Sequence, residues 1–557
     1  MKKFNYLLFI ILLSISSFAQ NIPFKIQKSE IFKDEYKESQ IVLSEEDGNG
    51  GVIIVRSYKS SGISPNSGYY FEHYDSNLKL INEYDFQTIH PSSHKYVVTL
   101  GIFKSDNIIR IIEMYYDINQ KAYICNANSI SKNDFKAENK ELFRLTRDEI
   151  KEYGSFSLAK MSYDKSNKKL ASKTNGYFTE NSRGIAIIAN ENVFSIAIDF
   201  MSTDNSERLK LFLFDAKLNK KIEHVFKKQI KNSNYIFQNI DLSSDENTVY
   251  LLSKSYSKEA KKKDEGGKYQ FEITKFTENK EETKAFDVKD HFIGSLKTII
   301  FDKKIVCIGF YSNSEDNKYK GVSYFELDPN NLDVRLSKFN PFTEQFIIDK
   351  YGKVKDKELE DLNFKNILIT PNNDIILNAE ESYSNSSGGV AIGVGVGNGG
   401  AVGAGFGVVG MGGVNMGMSG GLYFGGIYGN SFTHFDDIVS IKINSEGNLI
   451  WARNINKKQN DISFASYTSV LKNSNVCFFI NSKDKIKEIS NNRIEFKGIG
   501  NVTLIWINEK GDFEYEKILD EEENEVPFMV SNGIKSGDSV FFLGRKGTKK
   551  QLLKVTL

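Results

Sequence analysis

The sequence predicts an all-β protein, a single closed β-propeller of about eight four-stranded blades. Three observations carry this. Apolar runs entered through tight polar turns recur eight times along the chain, and such runs mark buried strands. Most are followed by an alternating hairpin, and helical periodicity over more than about two turns is nowhere evident. The composition is rich in Phe (41) and Tyr (27) and poor in Pro (7), which favours strands over turn-broken coil. Repeated units of roughly 50–70 residues with about four strands each fit propeller blades around a channel.

In chain order, Met1-Lys-Lys is followed by the apolar run Leu7–Leu13 and by small residues ending at Ala19. A basic start, a short apolar core and a small residue read as a secretory signal peptide, residues 1–19, leaving a propeller domain over 20–557. The apolar core is shorter than the roughly 20 residues a membrane span needs. Phe24–Phe32 then alternates as a half-buried strand does.

The eight apolar runs begin at Gly51, Asn107, Asn192, Asn247, Lys304, Asp374, Asn475 and Ser539. The turns before them, such as Asp47-Gly-Asn-Gly and Pro371-Asn-Asn-Asp, use residues that tolerate turn geometry. Leu209–Ile222, Val322–Leu336 and Val502–Tyr515 read as the hairpins that complete their units. The last unit, Pro527–Leu557, supplies only about three strands, and Phe24–Phe32 is the expected fourth, an N-terminal strand completing the last blade and removing the open edge. Gly154–Asn181, where Met161–Leu170 resembles one more hairpin, leaves seven to nine blades open. Lys258–Lys268 reads as a solvated charged tip.

One unit departs from the rest. Between the strand Asp374–Tyr383 and the hairpin around Asn444-Ser-Glu-Gly447 lies a glycine-rich insertion, residues 388–429, without a charged residue. As a flexible loop its glycine content makes ordering entropically unfavourable. As an interaction patch, Phe406, Met411, Met416, Met418, Leu422, Tyr423 and Phe424 would supply the apolar contact. As a membrane-inserting segment it lacks a continuous apolar run of about 20 residues.

Leu213–Asn219, Val249–Tyr256, Gly309–Ser312, Asp437–Trp451 and Asn456–Gln459 together resemble a family of uncharacterised exported β-propeller-like proteins of Bacteroidetes-type bacteria. The resemblance implies the fold and export. It brings no activity and no catalytic residues, and the insertion is longer and richer in glycine than that family leads one to expect.

Lys plus Arg (73) balances Asp plus Glu (72), for a net charge of +1. This offers no electrostatic reason to expect nucleic acid. Cys125, Cys307 and Cys477 sit far apart inside apolar runs and read as buried free thiols, not a disulfide framework. His90 and His94 are four apart, a metal-ligating spacing on a helix. With Pro91-Ser-Ser between them they read here as loop residues. His434 beside Asp436 and Asp437 could serve proton transfer, but no nucleophile accompanies it. Glu45–Gly50 lacks the ligand spacing of a calcium loop. Gly405–Gly410 matches a dinucleotide pattern only by letter, outside a strand–helix context.

The expectation is therefore an exported binding or interaction module, in the periplasm, at the cell surface or outside the cell, with a protein or glycan partner at the cell envelope. No catalytic, cofactor or metal residues, and no transmembrane segment in the mature chain, are expected. The competing expectation is a propeller-type hydrolase or lyase acting on polysaccharide or peptide through carboxylates at the channel mouth.

Overall fold

The computed structural model describes residues 23–557 except 36–38, 60–66, 153–184, 201, 205, 231–233, 257–268, 287, 289–290, 314–317, 361, 387–430, 460–464, 484–486, 490–492 and 499. The signal-peptide segment 1–19, Gly154–Asn181, Lys258–Lys268 and the insertion with its seven apolar and aromatic residues lie outside the described residues.

Eight sheets follow one another along the chain. Blade 1 is Gln40–Glu46, Val52–Lys59, Ser67–Tyr74 and Leu80–Gln87, and blade 2 is His94–Ser105, Ile108–Asp117, Ala122–Ser131 and Ala137–Leu145. Blade 3 is Ile185–Ala189, Val193–Asp199, Glu207–Asp215 and Lys220–Lys227, and blade 4 is Tyr235–Leu242, Val249–Tyr256, Tyr269–Phe276 and Glu281–Phe286. Blade 5 is Phe292–Phe301, Lys304–Ser312, Gly321–Leu327 and Val334–Pro341, and blade 6 is Leu362–Ile369, Ile375–Ser386, Ser431–Ile443 and Leu449–Lys458. Blade 7 is Tyr467–Lys472, Asn475–Ser482, Asn501–Ile507 and Phe513–Leu519. Blade 8 is Ile534–Ser536, Ser539–Lys546 and Lys549–Thr556, with Lys25–Lys28 as its fourth strand.

Each of the eight apolar runs is the second strand of a blade. The reason is burial on both faces: Val193–Asp199 and Val249–Tyr256 are buried at every residue. Eight apolar cores lie between consecutive blades, and the last of them closes the ring. There Ile41, Val52, Ile54 and Tyr74 of blade 1 pack on Phe541, Leu543 and Leu552 of blade 8. The first strands adjoin around the centre, Gln40–Glu46 lying beside both His94–Ser105 and Ile534–Ser536.

Closure is made by the N-terminal strand, Lys25–Lys28 pairing antiparallel with Leu553–Thr556 and Phe32–Lys33 with Lys549–Lys550. A buried ion cluster locks the junction. Arg56 on blade 1 meets Asp34, just beyond the closing strand, at 2.6 Å and also pairs with Glu72.

In an up-and-down sheet the first–second and third–fourth turns share one end, here called lower, while second–third turns and blade-to-blade links share the upper end. At the lower end four third–fourth turns are alike. Asp75, Asp215, Asn444 and Asn508 each accept, through the side chain, the backbone N–H groups two and four residues on. The residue three on from each is in the left-handed region: Leu78 and Leu218, or Gly447 and Gly511. Leu78 and Leu218 tolerate that conformation because their side chains are buried in the inter-blade cores. The upper end carries the irregular features: the helices Arg147–Glu152 and Glu344–Tyr351, a hairpin Lys487–Ile489/Arg493–Lys497, and the link that holds the glycine-rich insertion. Among the described residues no helix is long and apolar enough to cross a membrane.

Candidate functional site

Two polar clusters occupy the upper end, on blades 6 and 2. On blade 6 the second and third strands, 12 and 13 residues long, outrun their neighbours. Pairing with the first strand ends at Leu362↔Glu381. Ser382–Ser386 continues opposite Ser431–Phe435 as a two-stranded ribbon, touched on its outer side by the bridge Phe435↔Gln459. This ribbon leads to the glycine-rich insertion.

The ribbon stands on a charged base. The helix Glu344–Tyr351 is capped by Thr343, whose side chain accepts from Phe346 N–H, and ends at Gly352 with φ 74°, a residue without a Cβ in the left-handed region. Phe346 anchors it in the core between blades 5 and 6. Its last turn presents Lys350, whose Nζ lies 2.8 Å from Glu381 and 3.0 Å from Asp437. Asp349 holds Arg453 at 2.6 Å. Across the blade, the fully buried Lys457 meets Glu380 at 2.7 Å and donates to Phe435 O and to Gln459 Oε1. Ser466 of the link to blade 7 donates to Glu380 at 2.5 Å. Burial alone would raise the Glu380 carboxyl, but Lys457 and Lys365 outweigh it and hold it below its ordinary range. The hairpin strand Arg493–Lys497 adds parallel pairing to the outer edge at Asn456–Lys458.

His434 lies on the ribbon, in register with Tyr383. Asp437, which the sequence puts beside it, is turned to Lys350 and to Asn454 Nδ2. Glu380, Glu381, Asp349 and Asp437 thus each face a lysine or arginine. The arrangement braces the ribbon and leaves none of these four carboxylates free for acid–base work.

Blade 2 is different. The sequence reads His90 and His94 as loop residues; the fold sets their rings against each other and places His94 at the start of a strand. His94 N–H donates to Pro91 O at 2.9 Å, and that single turn brings the rings together as a helical turn would. The two Nδ1 atoms are 3.2 Å apart. Behind each ring stands a carboxylate from the second strand: Glu113 is 3.8 Å from His90 Nε2 and Asp117 3.4 Å from His94 Nε2. Tyr115, between them in sequence, stacks on His94 with ring centroids 3.9 Å apart. Alternation along the strand places Glu113, Tyr115 and Asp117 on one face.

Asn128 Nδ2 donates to Glu113 at 2.9 Å, and the backbone N–H groups of Asn119 and Gln120 fix Asp117. Burial pushes the Glu113 carboxyl up to about 7 against the Asn128 hydrogen bond. Burial, with His94 alongside, takes the His90 imidazole down to about 4. Exposed apolar side chains adjoin the group in sequence, Ile89 at 79%, Tyr96 at 47% and Ile118 at 46%. Tyr96 also has φ 58°, a strained backbone for an aromatic residue.

No family model matches the chain, and no curated protein matches it. Among solved structures it is similar to the β-propeller domain of the trilobed protease from Pyrococcus furiosus, with 9% identity and a TM-score of 0.35, covering 88% of this chain and 98% of that one. It is similar to prolyl oligopeptidase B from Galerina marginata, with 8% identity, TM-score 0.36, and 92% and 56% of the two chains covered. An ulvan polysaccharide lyase gives 10% identity, TM-score 0.35, and coverage of 81% and 90%. At these values the similarity carries no activity to this chain.

Proposed function

We propose that the protein is an exported binding module, and that its partner at the cell envelope is engaged through the insertion raised on blade 6. The observation that carries this reading is the ribbon Ser382–Ser386/Ser431–Phe435. It is a hairpin extended past its own blade and clamped at its base by Lys350 and Lys457. A ribbon needs such bracing where it must hold its load at a defined place, since a two-stranded hairpin is marginal alone. Its load is uncharged, and Phe406, Met411, Met416, Met418, Leu422, Tyr423 and Phe424 give it apolar contact groups suited to a protein or glycan surface. The signal-like segment 1–19 supports export.

The competing reading, a hydrolase or lyase on polysaccharide or peptide, gains nothing from Glu380, Glu381, Asp437 and Asp349, which are tied to basic partners. The test replaces Gly388–Gly429 by a short turn and compares envelope fractionation, oligomeric state and vesicle binding with the intact chain. Loss of envelope association or self-association with unchanged folding is expected. Identical behaviour in all three assays would sink the reading.

A further inference from the structure

We propose that His90 and His94 form a binding site for one borderline-soft divalent cation, Zn²⁺ or a neighbour such as Ni²⁺ or Cu²⁺. The two Nδ1 atoms are the ligands, and water or a bound molecule fills the remaining positions. Four features of the group support it.

The first is the bite. A tetrahedral ion with Zn–N bonds of about 2.0–2.1 Å spans two nitrogens about 3.3 Å apart, and the Nδ1 atoms stand 3.2 Å apart. Their rings meet head to head, centroids 5.5 Å apart, so binding turns both rings slightly until the two lone pairs converge on the ion.

The second is the support behind the ligands. A metal-bound imidazole donates its other ring N–H to a carboxylate or carbonyl, which fixes the tautomer and raises ligand basicity. Each histidine has a carboxylate close to that nitrogen, Glu113 3.8 Å from His90 Nε2 and Asp117 3.4 Å from His94 Nε2. In the metal-free group one ring donates an Nδ1–H to the bare Nδ1 of the other. On binding, that proton moves to Nε2 of its own ring, where the carboxylate accepts it, and no net charge leaves the protein. His90 Nε2 is a buried nitrogen without a hydrogen-bond partner, and the shift supplies one.

The third is charge and rigidity. Two carboxyl groups stand behind the imidazoles, and the ionised Asp117 favours a cation between the rings. Arg144 is held by Glu141 and is linked to Asp117 through Gln120. Stacking on Tyr115 limits the freedom of the His94 ring.

The fourth is access. The histidine side chains retain 19% and 16% exposure. The exposed rim of Ile89, Tyr96 and Ile118 would contact the apolar part of any molecule that took an open coordination position. Two protein ligands leave such positions, the condition that separates catalytic or ligand-binding metal sites from closed structural ones.

The experiment is calorimetric titration of the full, untagged chain with Zn²⁺ and with Ni²⁺. One saturable equivalent is expected. It should be lost in His90→Ala and in His94→Ala, weakened about 10–100-fold in Glu113→Gln and Asp117→Asn, and kept in His224→Ala, whose imidazole pairs with Glu281 on another blade pair. It should also survive deletion of Gly388–Gly429, which separates it from the proposed binding function. Should the alanine variants fail to fold, the wild-type imidazole NMR signals decide: two of six histidines should shift on adding Zn²⁺. Absence of saturable binding, binding indifferent to both alanine changes, or shifts at other histidines instead would overturn the proposal.

Discussion

Blades 6 and 2 each bury a group of carboxylates near the upper end, and they use them in opposite ways. On blade 6 Glu380, Glu381 and Asp437 face Lys457, Lys365 and Lys350, so charge is matched within the protein and the outcome is mechanical support. On blade 2 Glu113 and Asp117 face imidazoles, which can remain neutral and accept a ligand. A buried carboxylate matched to a lysine is committed to the scaffold. One matched to a histidine keeps its chemistry open, because imidazole changes protonation and coordination near neutral pH.

The contrast can be broken most forcefully at Lys457. Lys457→Met strips Glu380 of its main partner inside the protein, and removal of one member of a buried pair typically destabilises by about 3–5 kcal/mol. Chemical denaturation should show a loss of that order, largely recovered in Lys457→Met/Glu380→Leu, with blade 2 metal binding unaffected. A single variant as stable as the parent would remove the brace argument.

A third kind of carboxyl sharpens the comparison. Asp241, buried between blades 4 and 5, accepts N–H groups from Leu242 and Ile300, and burial lifts it to about 7. The unfolded chain releases this proton near pH 4. Between these values the folded state binds more protons, so stability falls as pH rises through the window, and the loss is complete above about 7. Asp241→Asn should therefore be more stable than the parent at pH 8, by on the order of 1–3 kcal/mol, and equal to it near pH 4. Equal denaturation midpoints at pH 8 would refute the assignment.

Near pH 4, where the folded carboxyl keeps its proton, Glu113→Gln should change stability by no more than about 1 kcal/mol, because its neighbours are hydrogen-bonding groups that an amide also satisfies. A loss as large as that of Lys457→Met would erase the distinction between the two blades. Smallest of all, replacing Gly388–Gly429 by a short turn should leave the melting temperature within about 2 °C, since the described ribbon is anchored below the insertion and long loops add little closure entropy.

Much of this was legible in the sequence, and what was not has a physical cause. Second strands are buried on both faces, so they appear as uninterrupted apolar runs, and all eight were readable. The closing strand was readable from the shortage in the last unit, although it divides at Ser29 into two short pieces, Lys25–Lys28 and Phe32–Lys33, on one partner. The lower turns also carried a pattern, Asp or Asn followed three residues later by Leu or Gly, set by an acceptor side chain and a left-handed residue. The parallel pairing of Asn456–Lys458 with Glu495–Lys497 joins two blades and leaves no periodicity. The histidine pair was missed because spacing of four was credited only to helices, whereas Pro91–His94 forms a turn that does the same. Nothing local links Glu113 to His90; only the strand register brings them together.

The N-terminal strand has a further consequence, for kinetics. Ser29 accepts its place through contacts with Leu552, 523 residues away, and Lys25–Lys28 has its strand partner in Leu553–Thr556. The first of the described strands waits for the last one. Until then blade 8 lacks its outer strand and blade 1 faces an unfilled seam, with Arg56 deprived of Asp34. Contacts of such sequence separation form slowly, and unpaired strand edges in the meantime invite association. Interrupting synthesis before residue 549 should thus yield seven blades able to pair and an eighth that cannot, a species open to proteases and to other copies of itself.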